Sequence, residues 1–165
     1  MLSISPMKNG GKYYLDMTQE NYYANIYEKA GSWFGEGAER LGLSGSVTKA
    51  TLKNLFRGFS PNGRAPLVQN AGDKNRQCGW DLTFSASKSV SVLWAAASPA
   101  LRLEIEQIHG DAVKDALSEL QRVAGVTRRG KGGHIKEKAD LVLAALSGRN
   151  KQRAAVRSEG DRMNH

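Results

Sequence analysis

Five tyrosines crowd into fifteen residues near the start of the chain: Tyr13-Tyr14, Tyr22-Tyr23 and Tyr27. A phenol offers two kinds of chemistry. Its ring stacks on nucleic-acid bases whatever their sequence. Its oxygen attacks phosphorus when a neighbour removes its proton or lowers its pKa from about 10. On one helix, adjacent tyrosines diverge by about 100°, whereas Tyr13 and Tyr23 return to nearly the same side. Ordinary helix packing accounts for such a cluster equally well, so three readings stay open: core, stacking platform and nucleophile.

A second group lies in Trp80-Asp81-Leu82-Thr83-Phe84-Ser85-Ala86-Ser87-Lys88-Ser89-Val90-Ser91. Strand alternation puts Asp81 and Thr83 on the face opposite Trp80 and Leu82. Small polar residues with Lys88 at the next helix start favour an anion, through free backbone N–H groups and one cation. The plainer reading makes Ser87 a helix cap and Asp81 a solvated sheet residue. A phosphate-binding GxxxxGK[ST] loop is excluded, because its glycines are absent. A third group is the basic run Arg122, Arg128, Arg129, Lys131, Lys136 and Lys138, suited to a phosphate backbone or simply to water.

Charge favours the nucleic-acid reading. Against 16 Asp+Glu stand 24 Lys+Arg, a formal net charge of +8 over 165 residues, which suggests a polyanionic partner. One cysteine, Cys78, excludes an internal disulfide and a cysteine-based zinc cluster. The histidines His109, His134 and His165 stand outside HxH and HxxxH spacing, so no metal ligands are expected in the chain. The opening residues have no basic-then-apolar signal pattern, and the longest apolar stretch, Val90 to Ala97, is too short to span a bilayer. A cytoplasmic location is expected, with no membrane segment.

The elements that must position these groups read as α+β. Leu2, Ile4 and Met7 predict a strand ended by Pro6 and Asn9-Gly10-Gly11. Residues 12–29 are compatible with a helix, and 31–46 with glycine-punctuated turns around a short one. Thr48 predicts the cap of a helix over 49–57 with Leu52, Leu55 and Phe56 inward. Residues 60–74 read as a loop, and Cys78, Trp80, Leu82 and Phe84 as the buried side of a strand. Helices follow over 88–97 and after Ser98-Pro99, the latter carrying Leu101, Ile105, Ile108, Ala112, Ala116 and Leu120 at helical spacing. A basic hairpin over 126–136 and a strand over 141–146 complete the pattern. Residues 147–165 carry few large apolar side chains and predict a polar, disordered tail.

In order and spacing, residues 1–146 resemble the relaxase domain of TrwC/TraI-type conjugative proteins. The resemblance rests on Met1-Leu2-Ser3-Ile4, the two tyrosine pairs, Trp33-Phe34-Gly35-Glu36-Gly37-Ala38-Glu39-Arg40-Leu41-Gly42-Leu43-Ser44-Gly45, the Asp81-to-Ser91 stretch and Thr127-Arg128-Arg129-Gly130. It implies an antiparallel sheet with flanking helices, of the HUH endonuclease kind. It also implies a partner, single-stranded or hairpin DNA at an origin of transfer, and a tyrosine that forms a 5′-phosphotyrosine there. Carried over by position, Tyr13 is the principal nucleophile, Tyr22 the second, and Asp81 the supporting carboxylate. Tyr14, Tyr23, Lys88, Arg128, Arg129 and Lys131 become DNA contacts, and other conjugation proteins become possible partners.

Two departures qualify the resemblance. Ser87 stands where the family has proline. The family's divalent metal, Mg or Mn, is held by three histidines after the strand at 141–146, and residues 147–165 have no such segment. The expectation is therefore an incomplete domain (an early stop, a frameshift or a fragment boundary) that lacks a central strand, binds no metal and nicks poorly. The alternative is a non-catalytic DNA-binding module or degenerate remnant.

Overall fold

The computed structural model describes residues 1–7, 11–20, 31–129, 134–148 and 151–160. In chain order the elements are β1 (Leu2–Pro6), α1 (Lys12–Glu20), β2 (Ser32–Phe34), α2 (Glu36–Arg40), α3 (Lys49–Arg57), β3 (Trp80–Ser85), α4 (Lys88–Ala96), α5 (Pro99–Ala124), β4 (Val126–Arg129), β5 (Ile135–Gly148) and β6 (Lys151–Gly160). Six strands form a sheet in the order β1-β3-β6-β5-β2, with β4 paired to β5. The pairings are antiparallel. The α+β sheet with flanking helices therefore stands.

Two expectations need correction. Residues 151–160, assigned to a disordered tail, form β6 in the middle of the sheet, between β3 and β5. The sheet thus has its central strand. The tail's backbone gains partners on both sides, and this outweighs its shortage of large apolar residues. The second correction concerns α5. Its buried positions are Val113, Leu117 and Gln121, whereas Leu101 and Ile108 of the expected apolar stripe are exposed. Only the second half of this helix reaches the sheet. Part of the region expected to be helical, residues 21–29, lies outside the described residues.

Each face of the sheet is covered differently. On one face, Leu82 and Phe84 of β3 join Leu141 and Leu143 of β5 beneath Val113 and Leu117 of α5. On the other, Ala144 and Leu146 pack with Met7, Tyr14, Val47, Leu52, Phe56 and Cys78, contributed mainly by α1 and α3. Each fully buried side chain of the Leu or Phe kind contributes roughly 1.5–3 kcal/mol. Helix α3 forms as expected. Thr48 accepts a hydrogen bond from the Thr51 N–H, and Gly58 closes the helix in a left-handed conformation at φ 93°.

The glycines of the Trp33–Gly45 motif have a structural cause. Gly35 has φ 97°, and a Cβ there would lie 2.4 Å from the Leu141 carbonyl oxygen; at Gly37 it would lie 2.9 Å away. Only glycine lets α2 rest on the β5 backbone. Arg40 then pairs with the buried Asp140 at 2.8 Å, fastening α2 to β5. Among the described residues, no helix is long and apolar enough to cross a membrane.

Candidate active site on the α1 face of the sheet

Helix α1 is anchored by one tyrosine and displays the other. Tyr14 is 5% exposed within the Met7–Phe56 cluster, its ring edge-on to Phe56 at 6.4 Å and 80°. Tyr13, about 100° further round the helix, is 56% exposed and meets Tyr14 edge-on at 5.4 Å and 88°. The buried ring is a pedestal for the exposed one. Tyr14 was expected to stack on bases, and its burial excludes that, because a stacking ring must offer an open face.

Register places Asp81 on the same face. In antiparallel pairs, residues directly opposite share a side of the sheet. Asp81 is opposite Ala155 in β6, and Ala155 is opposite Ala144 in β5. Ala144 lies in the cluster that contains Tyr14. Asp81 therefore faces the α1 side, two ladders or about 10 Å from Ala144. On its other flank it is opposite Ser5 of β1. The chain leaves β1 at Pro6, is held by the Met7 N–H donating to the Gly79 carbonyl at 3.0 Å, and enters α1 at Lys12. The link from Asp81's neighbour to Tyr13 is thus short, and both groups occupy one end of one face. The Thr83 hydroxyl approaches both Asp81 carboxylate oxygens, at 3.4 and 3.5 Å.

The remaining expected residues are less concentrated. Lys88 is exposed at the first position of α4, and Ser87 caps that helix by accepting from the Val90 N–H at 3.4 Å. One of the amides expected to meet an anion is therefore already engaged. Arg128 and Arg129 lie on β4, opposite Lys136 and Ile135 of β5, so the basic hairpin exists. Tyr22, Tyr23 and Lys131 lie outside the described residues. A cavity of about 280 Å³ between β2, α2 and α5 is lined by Trp33, Glu36, Glu39, Ser118 and Gln121 among others. It borders the β2 edge, remote from Asp81, and is not the site of this chemistry. Sequence reasoning missed Arg153, which β6 brings opposite Thr83. The signal was a lone basic residue in a stretch read as unstructured.

A family model described as TrwC relaxase matches residues 7–161. The chain belongs to the TrwC relaxase family. Its fold is similar to the conjugative relaxase TrwC solved in complex with oriT DNA in a metal-bound form. That match has a TM-score of 0.66 and 27% identity, and covers 96% of this chain and 56% of that one. The metal-free TrwC–oriT complex matches with a TM-score of 0.64, at the same identity and coverage. Among curated proteins, the multifunctional conjugation protein TraI of Escherichia coli is 35% identical over 127 residues, 75% of this chain and 7% of TraI. The chain thus spans about half of the solved TrwC chain and a small part of TraI.

A metal is implied by the metal-bound TrwC structures. The described residues do not fit one: no three His, Cys, Asp or Glu side chains among them gather into a ligand set. His109 belongs to α5 and His134 precedes β5, on separate elements. No step below runs through a metal.

Proposed function

We propose that this TrwC-family chain binds single-stranded or hairpin DNA of a transfer origin and presents Tyr13 to a backbone phosphodiester. The observation that carries the reading is the division of the first tyrosine pair, with Tyr14 buried and Tyr13 exposed on the face that carries Asp81. The implied step is a transesterification. The Tyr13 phenol oxygen bonds to phosphorus, the bond to the 3′ oxygen breaks, the phenol proton is passed on, and a 3′-hydroxyl leaves. The phosphotyrosine conserves the phosphodiester energy, so rejoining needs no cofactor. Asp81 is assigned the task of holding the polar end of the site and receiving the proton, and Tyr22 that of a second nucleophile. Net charge and the basic β4–β5 hairpin support a grip on phosphates. Other conjugation proteins are natural partners, and the cytoplasm the natural location.

A second reading, binding without cleavage, is favoured by the lack of a three-ligand cluster among the described residues. Positive charge at the phosphoryl oxygens supplies several kcal/mol in such reactions. The two readings separate in one experiment, with an end-labelled origin oligonucleotide incubated with the chain in Mg²⁺ or Mn²⁺ and run on a denaturing gel. Retarded but uncleaved DNA is the expected result. A robust covalent adduct that vanishes in Tyr13→Phe would establish the nuclease reading instead. No retardation even at about 50 mM salt would remove both.

A further inference from the structure

Exposed large apolar side chains concentrate in one region that neither the sheet nor the tyrosine site uses. On the sheet, Leu2 and Ile4 of β1 lie opposite Phe84 and Leu82, and so face the α5 side. Trp80 of β3 shares that face by alternation. All three are 47% exposed or more, beyond the reach of α5. Helix α4 begins three residues after β3 ends, at the margin of this strip. It has no buried residue, although Val92 and Leu93 are apolar. Ile108 of α5 extends the apolar surface.

The α4–α5 hairpin is firmly built. The Arg102 side chain donates to the Trp94 and Ala95 carbonyls at 3.0 and 2.9 Å and lies 5.1 Å from the Trp94 ring centroid. The Trp94 indole N–H donates to Glu106 at 2.9 Å. Helix α5 runs 26 residues, about 39 Å, with its buried positions confined to the second half. An ordered helix that buries nothing, beside an uncovered apolar strip, is a seat without an occupant.

We infer that this surface docks an apolar-faced helix from the portion of a TrwC-type relaxase chain that lies outside the matched region. The fold superposes along 96% of this chain but only 56% of the solved TrwC chain. The unmatched portion must cover part of the matched one, and an amphipathic helix laid on Ile4, Trp80 and Leu93 would bury the largest apolar surface left open. The occupant acts equally whether joined to the same polypeptide or supplied separately.

The test is co-expression of the full 165-residue chain with a tagged polypeptide made of the unmatched portion of TrwC, followed by affinity capture, light scattering and titration. A one-to-one complex is expected, weakened at least tenfold by Leu93→Glu and by Ile4→Glu and unchanged by Lys53→Glu on α3. Circular dichroism verifies that each variant keeps its fold, since the altered side chains are exposed. The inference is overturned by three results: no complex, a complex indifferent to these substitutions, or self-association of the chain that the same substitutions abolish. DNA retardation by the same samples is a separate readout, so failure here leaves the DNA-binding proposal standing.

Discussion

The division of labour between Tyr13 and Tyr14 makes a quantitative demand on stability. Replacing Tyr14 by alanine empties a site that is 5% exposed and touches Phe56 within the Met7–Cys78 cluster. Removing a buried aromatic ring to alanine costs about 3–5 kcal/mol, a large share of the 5–15 kcal/mol typical of a domain. Replacing Tyr13 removes a ring that is 56% exposed, together with an edge-on contact at 5.4 Å. Such a contact is worth about 1 kcal/mol. With a urea slope near 2 kcal/mol per molar, the midpoint falls by about 2 M for Tyr14→Ala and about 0.5 M for Tyr13→Ala. Urea titration followed by circular dichroism reads both. Tyr13→Ala should in addition weaken the grip on single-stranded DNA, and Tyr13→Phe should leave both stability and binding near the parent values. Equal midpoint losses for the two alanine variants would refute the pedestal arrangement and, with it, the assignment of Tyr13 as the displayed phenol.

Three further outcomes are expected. Gly35→Ala forces a Cβ to within 2.4 Å of the Leu141 carbonyl at φ 97°; a loss of about 2–3 kcal/mol should lower the melting temperature by about 6 °C in calorimetry. Ala155→Pro removes a backbone donor where β6 faces both Asp81 and Ala144; a cost of about 3 kcal/mol or more is expected, with amide exchange accelerating in β3 and β5 alike. The Glu119 pKa is lowered, chiefly by its side-chain hydrogen bond with Arg122, whose own pKa is raised by the same bond. A depressed carboxylate stabilises above its ordinary pKa, and the contribution fades as pH falls through the lowered value. The pair is fully exposed, so Arg122→Ala should raise the Glu119 titration midpoint by NMR while leaving the melting temperature unchanged.

Local chemistry was legible from sequence wherever one element settled it alone. The Thr48 cap with Leu52, Leu55 and Phe56 inward, the Ser87 and Ser98 caps, the alternation through Leu82 and Phe84, and the 126–136 hairpin all need only neighbouring residues. Tertiary placement was not legible. Trp80 continues the buried side of β3, yet is 47% exposed because its partner is Pro6, where no helix covers the sheet. The periodicity of Leu101 and Ile108 is genuine, but it marks a face other than the one Val113 and Leu117 press onto β3 and β5. Strand β6 is the clearest case. Ala154-Ala155-Val156, flanked by charges, carries no strand signature, and its place is set by two neighbours far away in sequence. In the candidate site, Tyr13 and Asp81 were legible as residue types, whereas which tyrosine faces solvent depended on Phe56, which lies on another helix.

Strand β6 also sets the timing of assembly. It follows β5 after two residues and zips along nearly all of it, so this ladder closes over a short loop and forms early. Its other ladder joins residues near 80 to residues near 155, and that closure must bring the β1–β3 ribbon across the whole intervening chain. Until it does, the Asp81 edge and the α1 face belong to separate halves, and no phosphate can find both. The catalytic cleft is therefore the last part of the molecule to exist, slow to form because its long-range contacts come late. A nascent chain in this family is inert toward DNA until the final ladder closes.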